Sequence, residues 1–264
     1  MSIIEAIILG IVQGLTEFLP VSSSGHLVLT QKILGIDGNL LFFDTMLHVG
    51  TLAAVFIVFW PDVREIFKDL FGRFTWILAV ATIPAVIVGV VFDDFIESAF
   101  GGEFLGFGFI TTSVLLVLSE ILYKRKAPKY TTKQSITFPV ALEVGIMQAF
   151  AMLPGVSRSG STLAGSLSCR IERNLATRFI SLMSIPVILG SGLKQGYDMI
   201  KDGVGEIFLA PTIIGMIVAA VVGYIAGKLL ISIVKKHKLY GFAVYTCILG
   251  ILVILDQYVF HIIF

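Results

Sequence analysis

The chain has 264 residues, of which 56% are hydrophobic and 14% are charged, and its formal net charge is +1. A soluble domain carries about a quarter of charged residues, so this composition excludes an ordinary soluble protein and is typical of a membrane protein. The net charge by itself says nothing about partners, and we expect no nucleic-acid partner for a membrane protein of this kind. Cys169 and Cys247 stand in apolar surroundings that favour neither a disulfide framework nor a zinc site.

Six stretches are long and apolar enough to cross the hydrocarbon core of a bilayer, which takes about 20 helical residues. They are residues 40–60, 75–92, 104–122, 174–193, 209–234 and 240–264. We therefore predict an all-α polytopic membrane protein, folded as a single membrane domain over residues 1–264.

Two further apolar stretches, residues 2–34 and 136–171, are each interrupted near the middle by a proline. Pro20 and Pro154 break a helix, and serines and glycines follow both of them. The helical legs on either side of each proline reach only about half the depth of the membrane. We predict that both stretches are re-entrant helical hairpins rather than spans.

Basic residues predict which loops face the cytoplasm. Lys and Arg are concentrated in three loops, which follow the spans 40–60, 104–122 and 209–234, whereas the loops 93–103 and 194–208 carry few or none. The positive-inside rule places the three basic loops in the cytoplasm. The first hairpin then enters from outside and the second from inside.

The second half of the sequence resembles the first. A shift of 135 residues lays QGLTEFLPVSSSGH, which begins at Gln13, on QAFAMLPGVSRSGS, which begins at Gln148. We predict a repeat one over residues 1–125 and a repeat two over residues 136–264, each with one hairpin followed by three spans. An odd number of spans inverts the second copy. Irregular backbone at membrane depth must be buried in protein or line a cavity, so the two loops are predicted to meet near the midplane.

The two loops supply different chemistry to one predicted site. Helix N-termini, serine hydroxyls and an arginine fork favour an anion, and a phosphate group is its natural occupant. The predicted catalytic residues are Glu17, Ser23, His26 and Arg158. The predicted phosphate-binding residues are Gln13, Ser22, Ser157, Ser159 and Thr162.

A histidine beside a carboxylate can handle proton or phosphoryl transfer. We expect the ring of His26 to face Glu17 across the first loop. The pattern leaves open whether His26 attacks phosphorus itself or activates water or Ser23, with a slight preference for attack by His26.

Helical spacing predicts that each of two other groups of residues shares one face of a helix. Gly10 and Gly14 form a GxxxG pattern that allows close contact with another helix. Asp44, His48 and Thr51 share one face of the first span. We predict an interfacial or supporting role for that face rather than catalysis.

The motifs QGLTEFLPVSSSGH and PGVSRSGST resemble those of the bacterial undecaprenyl-diphosphatase family, the bacitracin-resistance phosphatases, and the resemblance covers the whole chain in length, span count and motif spacing. It implies hydrolysis of a polyprenyl diphosphate lipid, undecaprenyl diphosphate, to the monophosphate carrier of peptidoglycan synthesis. It also implies a multi-pass protein of the bacterial plasma membrane, with an active site open to the outer face. The family's essential Glu, Ser, His and Arg fall on Glu17, Ser23, His26 and Arg158.

The resemblance further implies a divalent cation, Mg²⁺ or Ca²⁺. Many members of the family have Glu at the first motif position, where this chain has Gln13, which can ligate a metal through its carbonyl oxygen but adds no negative charge. Glu17, with Gln13 as a second candidate, is the predicted metal ligand. A homodimer is kept open as an assembly state.

An inverted repeat with two broken hairpins is also a transporter architecture. A membrane carrier or flippase for a lipid phosphate or another anion is therefore the alternative function. A carrier needs the anion site but has no need of a paired His and Glu. The presence of that pair in the sequence therefore favours the enzyme. The type-2 phosphatidic acid phosphatases need a histidine downstream of their Ser-Arg step, and no histidine stands there after Ser157 and Arg158.

Overall fold

The computed structural model describes residues 1–36, 38, 40–125, 127–202 and 209–264. Over these residues the chain forms α-helices and no β-strand, as the sequence predicted. The helices are α1 Ile3–Phe18, α2 Ser23–Leu34, α3 Leu41–Val58, α4 Trp60–Lys68, α5 Arg73–Val91, α6 Asp93–Ala99, α7 Leu105–Arg125, α8 Phe138–Phe150, α9 Arg158–Ser168, α10 Arg173–Asp202, α11 Leu209–Lys236 and α12 Tyr240–Leu255.

Six of the described helices are long and apolar enough to cross a membrane, namely α3, α5, α7, α10, α11 and the α12 region. The six predicted spans are thus confirmed, with small differences at their ends. The largest difference is in α10, which continues to Asp202, whereas the prediction ended at residue 193. Many apolar side chains on α5 and α11 are exposed, among them Ile83, Val86, Ile217, Val221 and Ile225. Such a surface suits contact with lipid rather than water.

The two remaining apolar stretches each form a pair of helices joined by a short turn. In the first pair, α1 begins at a capping box in which Ser2 Oγ accepts from the N–H of Glu5, and it ends just before Pro20. The return helix α2 is capped by Ser22 and ends at Gly35 in the left-handed conformation that favours glycine. In the second pair, α8 ends at Phe150 and α9 begins at Arg158. That both pairs are re-entrant in a membrane stays a prediction.

The entry helix of each hairpin packs on a long helix of the other half of the chain. α1 contacts α11, where a Cβ on Gly10 would lie 2.7 Å from the carbonyl oxygen of Gly215. α8 contacts α5, where a Cβ on Gly145 would lie 2.4 Å from the carbonyl oxygen of Ala81. The predicted GxxxG face of α1 is confirmed as a close helix contact, because Gly14 also lies directly against α11. This exchange of partners brings the two loops towards each other.

Two buried carboxylates tie the helix ends at the predicted cytoplasmic side. Glu120 is fully buried and accepts hydrogen bonds from Arg173 Nη2 at 2.8 Å and from the N–H of Leu239 at 2.9 Å. Asp62 pairs with Lys133 Nζ at 2.7 Å and with Arg178 Nη1 at 3.2 Å. A buried carboxylate needs such partners to offset the cost of its desolvation. These pairs fix α4, α7, α10 and the segment before α8 relative to one another.

Candidate active site

Glu17 is the point where the two loops meet. It stands in the last turn of α1 and is 6% exposed. Its Oε2 accepts hydrogen bonds from Ser23 Oγ at 2.6 Å and from Gln13 Nε2 at 3.1 Å. Its Oε1 accepts from Arg158 Nη2 of the second loop. A carboxylate buried in an apolar bundle needs this many partners to stay charged.

Arg158 is the first residue of α9 and reaches Glu17 because the second loop is pressed on α7. Gly155 in that loop has φ +84°, and a Cβ there would lie 2.5 Å from the carbonyl oxygen of Leu105. Thr112 of α7 holds the loop by donating to the carbonyl of Gly155 at 3.0 Å and accepting from the N–H of Ser157 at 2.8 Å. Only glycine permits this conformation and this close approach.

The first loop is strained where it enters α2. Ser22 has φ +72° and ψ 94°, an unfavourable conformation for a residue other than glycine. Its hydroxyl caps α2 through the N–H of Gly25 at 3.3 Å. Strained backbone of this kind clusters at functional sites. Ser23 follows Ser22 directly and donates to Glu17 at 2.6 Å.

His26 does not face Glu17, and that expectation was wrong. Its Nδ1 lies 2.7 Å from the carbonyl oxygen of Ser22, and its Nε2 lies 2.7 Å from the hydroxyl of Tyr245. The ring also meets Phe109 edge to face, with centroids 5.3 Å apart. One α-helical turn separates Ser22 from His26, so the ring folds back on its own helix instead of crossing the loop.

His48 of α3 is the histidine that contacts Glu17. Its Nδ1 lies 3.0 Å from Glu17 Oε2 and 2.7 Å from Gln13 Nε2. Asp44, one turn earlier, accepts instead from Gln31 Nε2 at 2.7 Å. Thr51 donates to the carbonyl of His48 at 2.8 Å within the same helix. The three residues predicted to share one face thus have separate partners, and only His48 joins the site.

The predicted phosphate-binding residues differ in exposure. Ser22 and Ser157 are buried helix caps, the latter accepting from the N–H of Gly160 at 2.9 Å. Thr162 is buried and donates to the carbonyl of Arg158 at 2.7 Å. Ser159 is partly exposed and donates to the carbonyl of Leu19 in the first loop at 2.9 Å. Of the predicted hydroxyl-bearing residues, Ser23 and Ser159 are the ones that are partly exposed.

Two protein oxygens suit the divalent cation that the resemblance implies. One belongs to the carboxylate of Glu17, and the other is Oε1 of Gln13, which is buried and has no hydrogen-bond partner among the described residues. Clusters of three or more His, Cys, Asp and Glu that could hold a metal do not occur in the described part of the chain. These oxygens therefore fit a cation that takes most of its ligands from phosphate groups, as Mg²⁺ often does.

Little space is left around the ion pair. A cavity of about 20 Å³ lies beside Glu17 and Arg158 and extends to Ser181 and Ser184 of α10. That volume suits a water molecule but not a phosphate. Side chains around the ion pair must therefore move before an anion can enter this cavity.

Sequence reasoning missed Thr112 and Tyr245. Thr112 is one of several small polar residues in an apolar span, and Tyr245 is an ordinary aromatic residue of α12. Neither belongs to a motif or a periodic pattern, so only the packing of α7 and α12 against the loops reveals them.

The sequence comparisons agree along nearly the whole chain. The family described as bacitracin resistance protein BacA matches residues 6–252. The undecaprenyl-diphosphatase of Halothermothrix orenii is 43% identical over 259 residues, which cover 97% of this chain and 98% of that protein. That of Carboxydothermus hydrogenoformans is 40% identical over 260 residues, with the same coverage. Undecaprenyl-diphosphatase 3 of Bacillus cereus is 39% identical over 259 residues and 98% of each chain. This chain belongs to the bacitracin resistance protein BacA family.

Proposed function

We propose that this protein is an integral membrane phosphatase that hydrolyses undecaprenyl diphosphate to undecaprenyl phosphate and inorganic phosphate. The observation that carries the proposal is the convergence of a serine hydroxyl and an arginine on one buried carboxylate between two helix N-termini. The names of the relatives support the substrate. The activity recycles the carrier lipid of peptidoglycan synthesis and confers resistance to bacitracin.

Binding begins when the diphosphate takes Arg158 away from Glu17. The guanidinium presents a planar fork that matches two phosphate oxygens. Ser159 and the first-turn N–H groups of α2 and α9 add donors, since helix N-termini favour anions. Departure of Arg158 frees Oε1 of Glu17, while Oε2 keeps its hydrogen bond to Ser23.

Ser23 is the nucleophile that the geometry favours over His26. Its hydroxyl already donates to Glu17 at 2.6 Å, which is the contact a nucleophile makes with its base. Ser23 Oγ attacks the terminal phosphorus, its proton passes to Glu17, and the bond to the bridging oxygen breaks to release undecaprenyl phosphate. Water then attacks the phosphoserine and gives a proton to His26 Nε2. Ser23 Oγ leaves and takes back the proton from Glu17. Inorganic phosphate departs, and His26 releases its proton to solvent, which restores both bases.

Glu17 and Oε1 of Gln13 would hold a divalent cation, Mg²⁺ or Ca²⁺. Such an ion, when bound, neutralises charge on the phosphate oxygens. His48 contacts both of these side chains and so supports the arrangement of their oxygens.

The site opens to the outer face of the bacterial plasma membrane in this proposal. The charge pattern of the loops supports that orientation. A cavity of about 240 Å³ at the predicted outer end of α2, between Gln31, Asp44 and Gly101, offers space on that side. The prenyl chain lies in the lipid between spans. A homodimer stays a prediction, and no observation on the described residues favours the carrier function.

The test is phosphate release by the purified protein in lipid nanodiscs, with a polyprenyl diphosphate as substrate. We expect release in the presence of Mg²⁺ or Ca²⁺ and its loss in Glu17→Gln. Movement of intact lipid diphosphate between leaflets without phosphate release would instead establish the carrier.

A further inference from the structure

The imidazole of His26 is held by two hydrogen bonds and two aromatic rings, and its contacts define its tautomer. The carbonyl of Ser22 can only accept, so Nδ1 of His26 carries the hydrogen in that 2.7 Å contact. In the neutral ring Nε2 is then the acceptor. The Tyr245 hydroxyl, 2.7 Å away, therefore donates its hydrogen to Nε2.

Tyr245 also fixes the plane of the ring. The two rings stack with centroids 5.7 Å apart and an angle of 13° between their planes. Phe109 closes the other side at an angle of 81°. The rings of Phe109 and Tyr245 and the two hydrogen bonds together fix the orientation of the imidazole.

The backbone that carries Tyr245 is rigid, but its side chain is partly free. α12 packs directly on α7, because Gly106 and Gly250 each lie against the backbone of the other. Ser113 Oγ of α7 donates to the carbonyl of Ala243 at 2.7 Å, two residues before Tyr245. The Tyr245 side chain itself is 46% exposed, so its hydroxyl can withdraw without disturbing the core.

We infer that Tyr245 is a positioning residue for His26. The Ser22 carbonyl sets the tautomer, and the Tyr245 hydroxyl holds the resting imidazole in the orientation in which its Nε2 lone pair can accept a proton. The hydroxyl then gives up that position to the attacking water. The inference rests on the proposed function, in which His26 receives the proton of water. A histidine in the wrong tautomer or orientation is a poor base even when its surroundings are otherwise intact.

The test uses Tyr245→Phe, which keeps the stacked ring and removes only the hydroxyl. Loss of one oriented hydrogen bond predicts a fall in kcat of about tenfold with little change in KM. The matched control is Tyr258→Phe, because Tyr258 lies exposed just after α12 and should leave both constants unchanged.

A second readout separates positioning from structure. Only four histidines occur in the chain, so ¹⁵N labelling of histidine gives a resolvable spectrum, and His26→Gln assigns the His26 signals. We expect the Nε2 signal of His26 to shift in Tyr245→Phe and to stay in place in Tyr258→Phe. A rise in KM with unchanged kcat, or an unshifted Nε2 signal, would overturn the inference. A wild-type protein without phosphatase activity would overturn the proposed function instead, and the shift of Nε2 would still be measurable.

Discussion

Glu17 shows how much of the site depends on one buried side chain. Its oxygens bind a serine and an arginine that are far apart in sequence, and His48 adds a third distant element. The carboxylate therefore links α1, α2, α3 and α9. In the resting protein it forms an ion pair with Arg158, and in the proposed reaction it serves as the base for Ser23. In that proposed reaction, one residue couples binding of phosphate to activation of the nucleophile.

Replacement of Arg158 by lysine tests that coupling. Arg158→Lys keeps the charge but loses the planar fork, so we expect kcat/KM to fall by orders of magnitude. The matched control is Arg178→Lys, since Arg178 pairs with Asp62 at the predicted cytoplasmic side and should tolerate the change. Turnover like that of wild type in Arg158→Lys would remove the guanidinium from the phosphate site.

The identity of the nucleophile is decided by the stability of a trapped intermediate. Phosphoserine on Ser23 is stable to acid and labile to base, whereas phosphohistidine on His26 behaves in the opposite way. We expect acid-stable label after quenching with terminally labelled substrate, and more of it in His26→Ala, because that variant lacks the base for the second step. Base-stable label that disappears in His26→Ala would assign the nucleophile to His26.

At the scale of elements, glycines determine where the helices meet. Gly10, Gly14 and Gly145 lie where α1 and α8 press on backbone of the opposite half of the chain. Gly106 and Gly250 do the same for α7 and α12. Small residues allow such approach in membrane proteins, where packing rather than hydrophobic burial drives helix association. The hairpins keep their position because their entry helices have no side chain at these contacts.

Gly145→Ala should therefore destabilise the protein. The new Cβ would lie 2.4 Å from the carbonyl oxygen of Ala81, which is backbone and cannot move cheaply. Overpacking of this kind costs about 1–3 kcal/mol. Gly190→Ala is the control, since nothing lies within 4 Å of a Cβ at that helical glycine, and alanine there should gain about 0.5–1 kcal/mol. Unfolding midpoints in mild detergent measure both changes, and equal midpoints would show that the α5–α8 contact is not tight.

At the scale of the whole molecule, the orientation of the bundle in the membrane determines from which side the substrate enters. The ion pairs of Asp62 and Glu120 gather basic residues at one end of the bundle, and the positive-inside rule places that end in the cytoplasm. The cavity by Gly101 lies at the predicted outer end. In the proposed function, this orientation opens the site to the outer face of the membrane.

Thiol labelling tests this orientation. A cysteine in place of exposed Gly101 should react with an impermeant reagent added outside intact cells, and one in place of exposed Lys129 should not. Cys247 is replaced beforehand. Cys169 gives little background, because burial and the neighbouring Glu143, which accepts its S–H, raise the pKa of its thiol to about 12. Labelling at Lys129→Cys alone would invert the orientation and turn the site towards the cytoplasm.

The sequence by itself determined the class of protein, the six long helices, the two proline-broken stretches and the residues that meet between them. These follow from local properties, namely apolar run length, helix breaking and the placement of Glu17, Ser23 and Arg158 in two similar motifs. Only the tertiary structure decided the partner of each side chain. The motif placed His26 beside Glu17 in sequence, yet the turn of α2 directs His26 to Tyr245, and α3 brings His48 to the carboxylate instead. Thr112 and Tyr245 matter because α7 and α12 pack on the loops, and contacts between distant helices depend on their packing, which leaves no pattern along the chain.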